Sequence, residues 1–177
     1  SSLVGSEMCI RDRSKIVICA VAGACAGGAA NLAFACDFIY AADNAKFLQA
    51  FVGIGLCPDT GGVYTLPRMI GTHRAFDMFV TGRIVAAKEA YDIGLVKAVT
   101  TKEELLPTVY AFAEKLTKGP TLAYRNMKKL MFESMYKGFE KYMKAESVYL
   151  GECSSSEDFK EGITAFLEKR PAEFKGK

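Results

Sequence analysis

One stretch constrains this chain more than any other: Ile16 to Ala22, IVICAVA, continuously apolar and rich in β-branched side chains. A run of that kind, without polar alternation, suits a strand buried on both faces, as in a parallel sheet. Gly23 ends it. Gly27 and Gly28 open a small-residue segment, AANLAFAC, which reads as a helix packed tightly on the sheet. Asp37 to Ala42 (DFIYAA) reads as the next strand and Ala45 to Ala50 (AKFLQA) as another short one. Strand, glycine turn, helix, strand is a βαβ unit. The expected class is therefore α/β, with a partly parallel sheet and a right-handed crossover.

The rest of the 177-residue chain is read around that unit. Residues 1–13, SSLVGSEMCIRDR, show no apolar period and no cleavage-site pattern, so they are not a signal peptide. They resemble translated adapter sequence, and 1–14 is set aside as a non-native leader. Helices are expected from Gly61 to Gly71 with Pro67 near the end, from Thr72 through Val80, from Ala86 to Ile93, and from Glu103 to Lys118. In the last of these, Pro107 is tolerated if it falls in the first turn. Leu95 to Val99 reads as a strand. Gly119-Pro120 marks a boundary, giving a core over 15–118 and a helical region over 119–177. The latter has three helices, 120–137, 139–151 and 156–169, with Ser156 as an N-cap.

Composition excludes several classes. Half the residues are hydrophobic and the net charge is +3 with signs interspersed, which gives no nucleic-acid footprint. No apolar run reaches the ~18 residues that would span a bilayer, since Asp37, Asp43 and Lys46 interrupt the candidates. The six cysteines form no CxxC pair, and four sit in apolar segments, as buried free thiols of a reducing compartment such as the cytoplasm would. With one histidine, His73, and no ligand spacing, no metal site is expected. His73 reads as a solvated helix-end residue, and Lys128, Lys129, Lys137, Lys141 and Lys144 as solvated helix faces.

Two segments are candidates for chemistry. GACAGG lacks the spacing of a dinucleotide loop. Either Gly28 offers a helix N-terminal N–H to a developing oxyanion, or small residues merely let helix and strand approach closely; the packing reading leads on pattern alone. Asp59, in PDTGG, reads either as a general base whose pKa is raised by an apolar pocket, or as a turn or N-cap aspartate, which the flanking Pro58 and Gly61-Gly62 favour.

At this point the residues match a known family. KIVICAVAGACAGGAANLAFACDFIYAADNAKFLQAFVGIGLCPDTGGVYTLPRMIG, then TGRIVAAKEAYDIGLVKAV and the ending EGITAFLEKRPAEFKGK, resemble the enoyl-CoA hydratase/isomerase (crotonase) superfamily over nearly all of 15–177. The resemblance implies the C-terminal part of a crotonase ββα spiral followed by a helical trimerisation region. It further implies acyl-CoA thioester substrates, a homotrimer or hexamer, and no cofactor beyond the coenzyme A of the substrate. The expected location is cytoplasmic, with mitochondrial or peroxisomal as the alternatives in a eukaryote. It also implies that the N-terminal half of the parent, with the second oxyanion donor, is missing, so that the chain alone lacks a complete active site.

Gly28, with Gly27 beside it, matches an oxyanion-hole donor of the family. Hydratases carry two glutamates; the matching positions here are Asn31 and Phe51, which would instead shape the pocket. Asp59 falls where the isomerase branch carries its single carboxylate. The segment QAFVGIGLCPDTGG resembles most the ring-1,2-epoxyphenylacetyl-CoA isomerases of phenylacetate degradation, with enoyl-CoA isomerases next. Phe166 and Lys169 match a phenylalanine and a lysine that approach coenzyme A, often from a neighbouring subunit; a core aromatic and a solvated lysine account for them equally. The implied activity is isomerisation, with a non-catalytic assembly subunit and an enoyl-CoA hydratase as alternatives.

Overall fold

The computed structural model describes residues 9–177. Six short strands are arranged as two three-stranded sheets: β1 (Ile18–Val21), β3 (Phe38–Ala42) and β6 (Ala98–Thr100) in one, and β2 (Ala24–Ala26), β4 (Lys46–Leu48) and β5 (Val85–Ala86) in the other. The pairs β1–β3, β3–β6 and β2–β4 are parallel, and β4–β5 is antiparallel. The sequence reading had one sheet and took Gly23–Gly28 as a turn. Instead the chain leaves β1 at Gly23 and immediately joins the second sheet through β2.

The apolar run behaves as its composition dictates. Cys19 and Val21 of β1, with Ile39 and Ala41 of β3, face the main core, which also holds Phe34, Phe47, Leu66, Met78 and Val85. Ile18, Ala20, Tyr40 and Ala42 face the opposite side, which is covered by Leu105 and Val109. Both faces of this sheet are therefore covered by apolar side chains, and no polar alternation is needed.

Four helices complete the core: α1 (Gly28–Phe34), α2 (Gly62–Ile70), α3 (Thr72–Thr81) and α4 (Ala87–Asp92). α5 (Lys102–Thr117) covers the outer face of the first sheet and begins at a Thr101 N-cap. Thr101 Oγ1 accepts the Glu104 N–H at 3.3 Å and donates to the Glu104 carboxylate at 3.0 Å. Pro107 lies in the second turn of α5, one turn later than expected.

The helical region comprises α6 (Thr121–Met135), α7 (Phe139–Ser155) and α8 (Glu157–Glu168). The Ser156 hydroxyl caps α8 by accepting the Phe159 N–H at 3.0 Å. α7 docks on α2 through Tyr64, Phe139 and Met143. α8 crosses a 3-10 turn at Val52–Ile54, where Gly162 lets the helix approach the backbone of Ile54.

Lys128 departs from its expected solvated position. It is 9% exposed and donates to the Asp37 carboxylate at 2.6 Å and to the carbonyls of Ile10 and Lys15 at 2.9 and 3.0 Å. A buried ammonium needs such partners, and these supply them. The segment read as a leader contributes as well: Arg11 is buried, donates to Thr65 Oγ1 at 2.9 Å, and lies over the Tyr136 ring. Residues 1–8, the rest of that segment, lie outside the described residues.

Candidate active site

The site is built where β2, β4 and the segment after Phe51 converge on the start of α1. β2 pairs with β4, and the Gly27 N–H extends that ladder by donating to Leu48 O at 3.0 Å. The chain then turns sharply at Gly27, with φ 55° and ψ −128°, a conformation that only glycine adopts without strain. Gly28 follows as the first residue of α1. Its N–H has no acceptor within the helix, since the four leading N–H groups of any helix lack one.

Asp59 comes to that same point. A β-carbon at Gly28 would lie 3.5 Å from Asp59 Oδ1 and 3.6 Å from Thr60 Oγ1. The half-buried Asp59 carboxylate accepts the Thr60 hydroxyl at 2.7 Å. Phe51, 8% exposed, lays its ring edge on Gly27, 3.6 Å from where a β-carbon would be. Gly27, Gly28, Phe51 and Asp59 are thus one constellation: a helix-start N–H, a carboxylate and an apolar wall.

Asn31 lies behind this constellation. It is fully buried, donates to the Asp59 carbonyl at 2.7 Å, and accepts the Gln49 amide at 2.9 Å. Its side chain therefore ties α1 and the end of β4 to the backbone that carries Asp59. Phe166 and Lys169 are not brought to this point. Phe166 is 72% exposed, which rules out a core aromatic, and Lys169 ends α8 in a left-handed conformation on the surface.

Three participants escaped the sequence reading: Gln49, Thr60 and Glu146. Thr60 is buried with φ 52°, a left-handed conformation that a β-branched residue rarely adopts. Glu146, from α7, is 7% exposed. Its carboxylate accepts the Gly61 N–H at 3.2 and 3.0 Å and the Tyr142 hydroxyl. Burial pushes the Glu146 carboxyl above its usual range, and the charge of nearby Asp59 adds to this, while the Tyr142 and Gly61 bonds pull the other way. A signal for Glu146 did exist, because it interrupts the apolar stripe Phe139, Met143, Leu150 of α7.

The residues on this frame match a known protein class along the chain. The family model described as Enoyl-CoA hydratase/isomerase matches residues 5–177. The chain belongs to the enoyl-CoA hydratase/isomerase family. A Crotonyl-CoA hydratase of Syntrophomonas wolfei is 43% identical over 93% of the chain and 64% of the relative. A 1,2-epoxyphenylacetyl-CoA isomerase of Escherichia coli is 36% identical over 92% of the chain and 62% of the relative. Among solved structures, an enoyl-CoA hydratase from Mycobacterium avium subsp. paratuberculosis superposes with a TM-score of 0.92 at 31% identity, over 96% of this chain and 69% of that one.

Membership of the enoyl-CoA hydratase/isomerase family carries with it the crotonase fold and its helical C-terminal region. The chain spans somewhat less than two thirds of the curated relatives just named. Overall similarity is greater to the hydratase than to the epoxide isomerase, so the expected kinship with the isomerase is not what whole-chain identity favours. Among the described residues, no three His, Cys, Asp or Glu side chains gather as a metal site would require, and no helix is long and apolar enough to cross a membrane.

Proposed function

We propose that the intact protein is an acyl-CoA isomerase, with Asp59 as the single acid/base carboxylate and the Gly28 N–H as one donor to the thioester oxygen. The observation that carries this reading is the approach of Asp59 Oδ1 to within 3.5 Å of a β-carbon built at Gly28, while the positions resembling the hydratase glutamates hold Asn31 and Phe51. An N–H at the start of a helix stabilises negative charge developing on the thioester oxygen. A carboxylate beside it then removes a proton from the acyl chain to form the enolate. The same group, now protonated, returns the proton to another carbon of the conjugated system. No proton is gained or lost overall, so one carboxylate suffices. Phe51 supplies an apolar wall that keeps water from the intermediate. Coenzyme A belongs to the substrate, no further cofactor is required, and Phe166 and Lys169 on the exposed end of α8 would meet coenzyme A across an oligomer interface.

A hydratase reading has its own support in the 43% identity to a Crotonyl-CoA hydratase. Hydration needs one group to activate water and another to protonate carbon, and among the described residues Asp59 is the one carboxylate beside Gly28. The two readings separate by product. Offered cis-3-enoyl-CoA, the intact protein is expected to yield the 2-enoyl thioester of unchanged mass. Offered crotonyl-CoA, it is expected to add water slowly or not at all. Rapid hydration of crotonyl-CoA would overturn the isomerase reading.

A further inference from the structure

The segment that carries Asp59 is held in an unfavourable backbone conformation. Thr60 and Gly61 are consecutive left-handed residues, with φ 52° and 68°. For a β-branched threonine that conformation is unfavourable, and it persists only where surrounding structure over-determines it. Gly61 is also the N-cap of α2, and no side chain of the turn itself caps that helix. The restraint comes from elsewhere in the chain.

That restraint is Glu146. Among the described residues it is the one buried carboxylate, and both its oxygens are directed at the Gly61 N–H, 85 positions away in sequence. This N–H belongs to the peptide plane between Thr60 and Gly61. Holding it fixes the torsions on either side, and with them the Thr60 hydroxyl that donates to Asp59 Oδ1 at 2.7 Å. α7 is in turn anchored to α2. The Tyr64 hydroxyl donates to Lys137 O at 2.8 Å, and Tyr142, one turn before Glu146, donates to the same carboxylate.

We propose that Glu146 is a positioning residue for the Asp59 carboxylate: from the helical region it locks the left-handed Thr60–Gly61 turn and so holds Asp59 in place beside Gly28. The inference rests on the reading of Asp59 as the acid/base group. It assigns the helical region a part in the chemistry that goes beyond assembly.

The test is a double-mutant cycle in the intact protein, read as kcat and KM for conversion of cis-3-enoyl-CoA. Glu146→Ala, and Glu146→Asp, which is one methylene too short to reach Gly61, are expected to lower kcat about tenfold to hundredfold with KM little changed, as for an acid/base group misplaced by about 1 Å. Glu146→Asp keeps charge and most packing, and decides the matter if Glu146→Ala does not fold. Glu146→Gln keeps an acceptor for the Gly61 N–H and is expected to recover most of the loss. On an Asp59→Ala background the same substitutions are expected to leave the residual rate unchanged, since no carboxylate remains to be held in place. A loss that multiplies on that background marks a general structural role and overturns the inference, as does wild-type kcat in both Glu146→Ala and Glu146→Asp. If Asp59→Ala alone keeps the wild-type rate, the reading of Asp59 falls first, and the inference with it.

Discussion

At position 31 a fully buried amide makes two hydrogen bonds, to the Asp59 carbonyl and from the Gln49 side chain. Removing it leaves the buried Gln49 amide without its acceptor, while the Asp59 carbonyl keeps the Gly62 N–H at 3.0 Å. Asn31→Ala is therefore expected to cost about 1–3 kcal/mol in urea unfolding, the usual cost of one buried polar group left unpaired. Gly62 reports on the same amide, because a β-carbon there would sit 2.4 Å from Asn31 Nδ2. Gly62→Ala is expected to destabilise by about 1–3 kcal/mol, as overpacking does. Two thiols give a pH signature. Burial pushes Cys25 up to about 11, and burial followed by the neighbouring Cys153 does the same to Cys57, both from 9.0. A raised pKa means that the folded state keeps a proton which the unfolded chain releases. Stability from these groups is thus intact below pH 9.0 and is lost as pH rises toward 11. Thermal melts should show Tm falling across that window, with a smaller fall in Cys25→Ala. The glycine turn and the PDTGG segment marked Gly28 and Asp59 only as candidates, with packing and turn readings ahead on pattern alone; the family resemblance singled them out. Glu146 was not singled out, since its only role visible locally was to spoil an apolar stripe, and its partner lies 85 positions away.

Among elements, long apolar or strongly periodic segments were the readable ones. β1 and β3 followed from IVICAVA and DFIYAA, and α8 from its Ser156 cap. β2 and β5 did not follow, because strands of three and two residues carry no period and exist only through pairing with β4. Lys128 defeated the amphipathic rule for α6, where Asp37 and two carbonyls replace its solvent. The contact of α8 with the Val52–Ile54 turn is the joint between the helical region and the site. A β-carbon at Gly162 would lie 2.7 Å from the Cα and carbonyl carbon of Ile54. Backbone cannot yield as a flexible side chain does. Gly162→Ala is expected to cost about 3 kcal/mol, the upper end for overpacking, and to raise hydrogen exchange in residues 51–60. An unchanged exchange pattern would contradict the joint.

For the whole molecule, the notable surface is α6, where Leu122, Met127, Leu130 and Met131 are all more than half exposed. An apolar stripe of that size is costly in water and is a common mark of an interface. We propose assembly of the intact protein as a homotrimer or hexamer. Sedimentation is expected to give a trimer mass or its double, and Leu130→Glu is expected to shift it toward monomer; a monomeric wild type would contradict the proposal. The fold joins a spiral core bearing Gly28, Phe51 and Asp59 to a helical region that grips the Asp59 turn through Glu146. The proposed chemistry rests on one carboxylate, Asp59, performing the acid/base work. The direct measurement is Asp59→Ala in the intact protein, following both cis-3-enoyl-CoA conversion and the Kd of a saturated acyl-CoA. Conversion is expected to fall by about 10²–10⁴, the usual contribution of a positioned acid/base group, while Kd stays within about threefold because thioester binding does not use this carboxylate. Conversion that survives the substitution would contradict that chemistry.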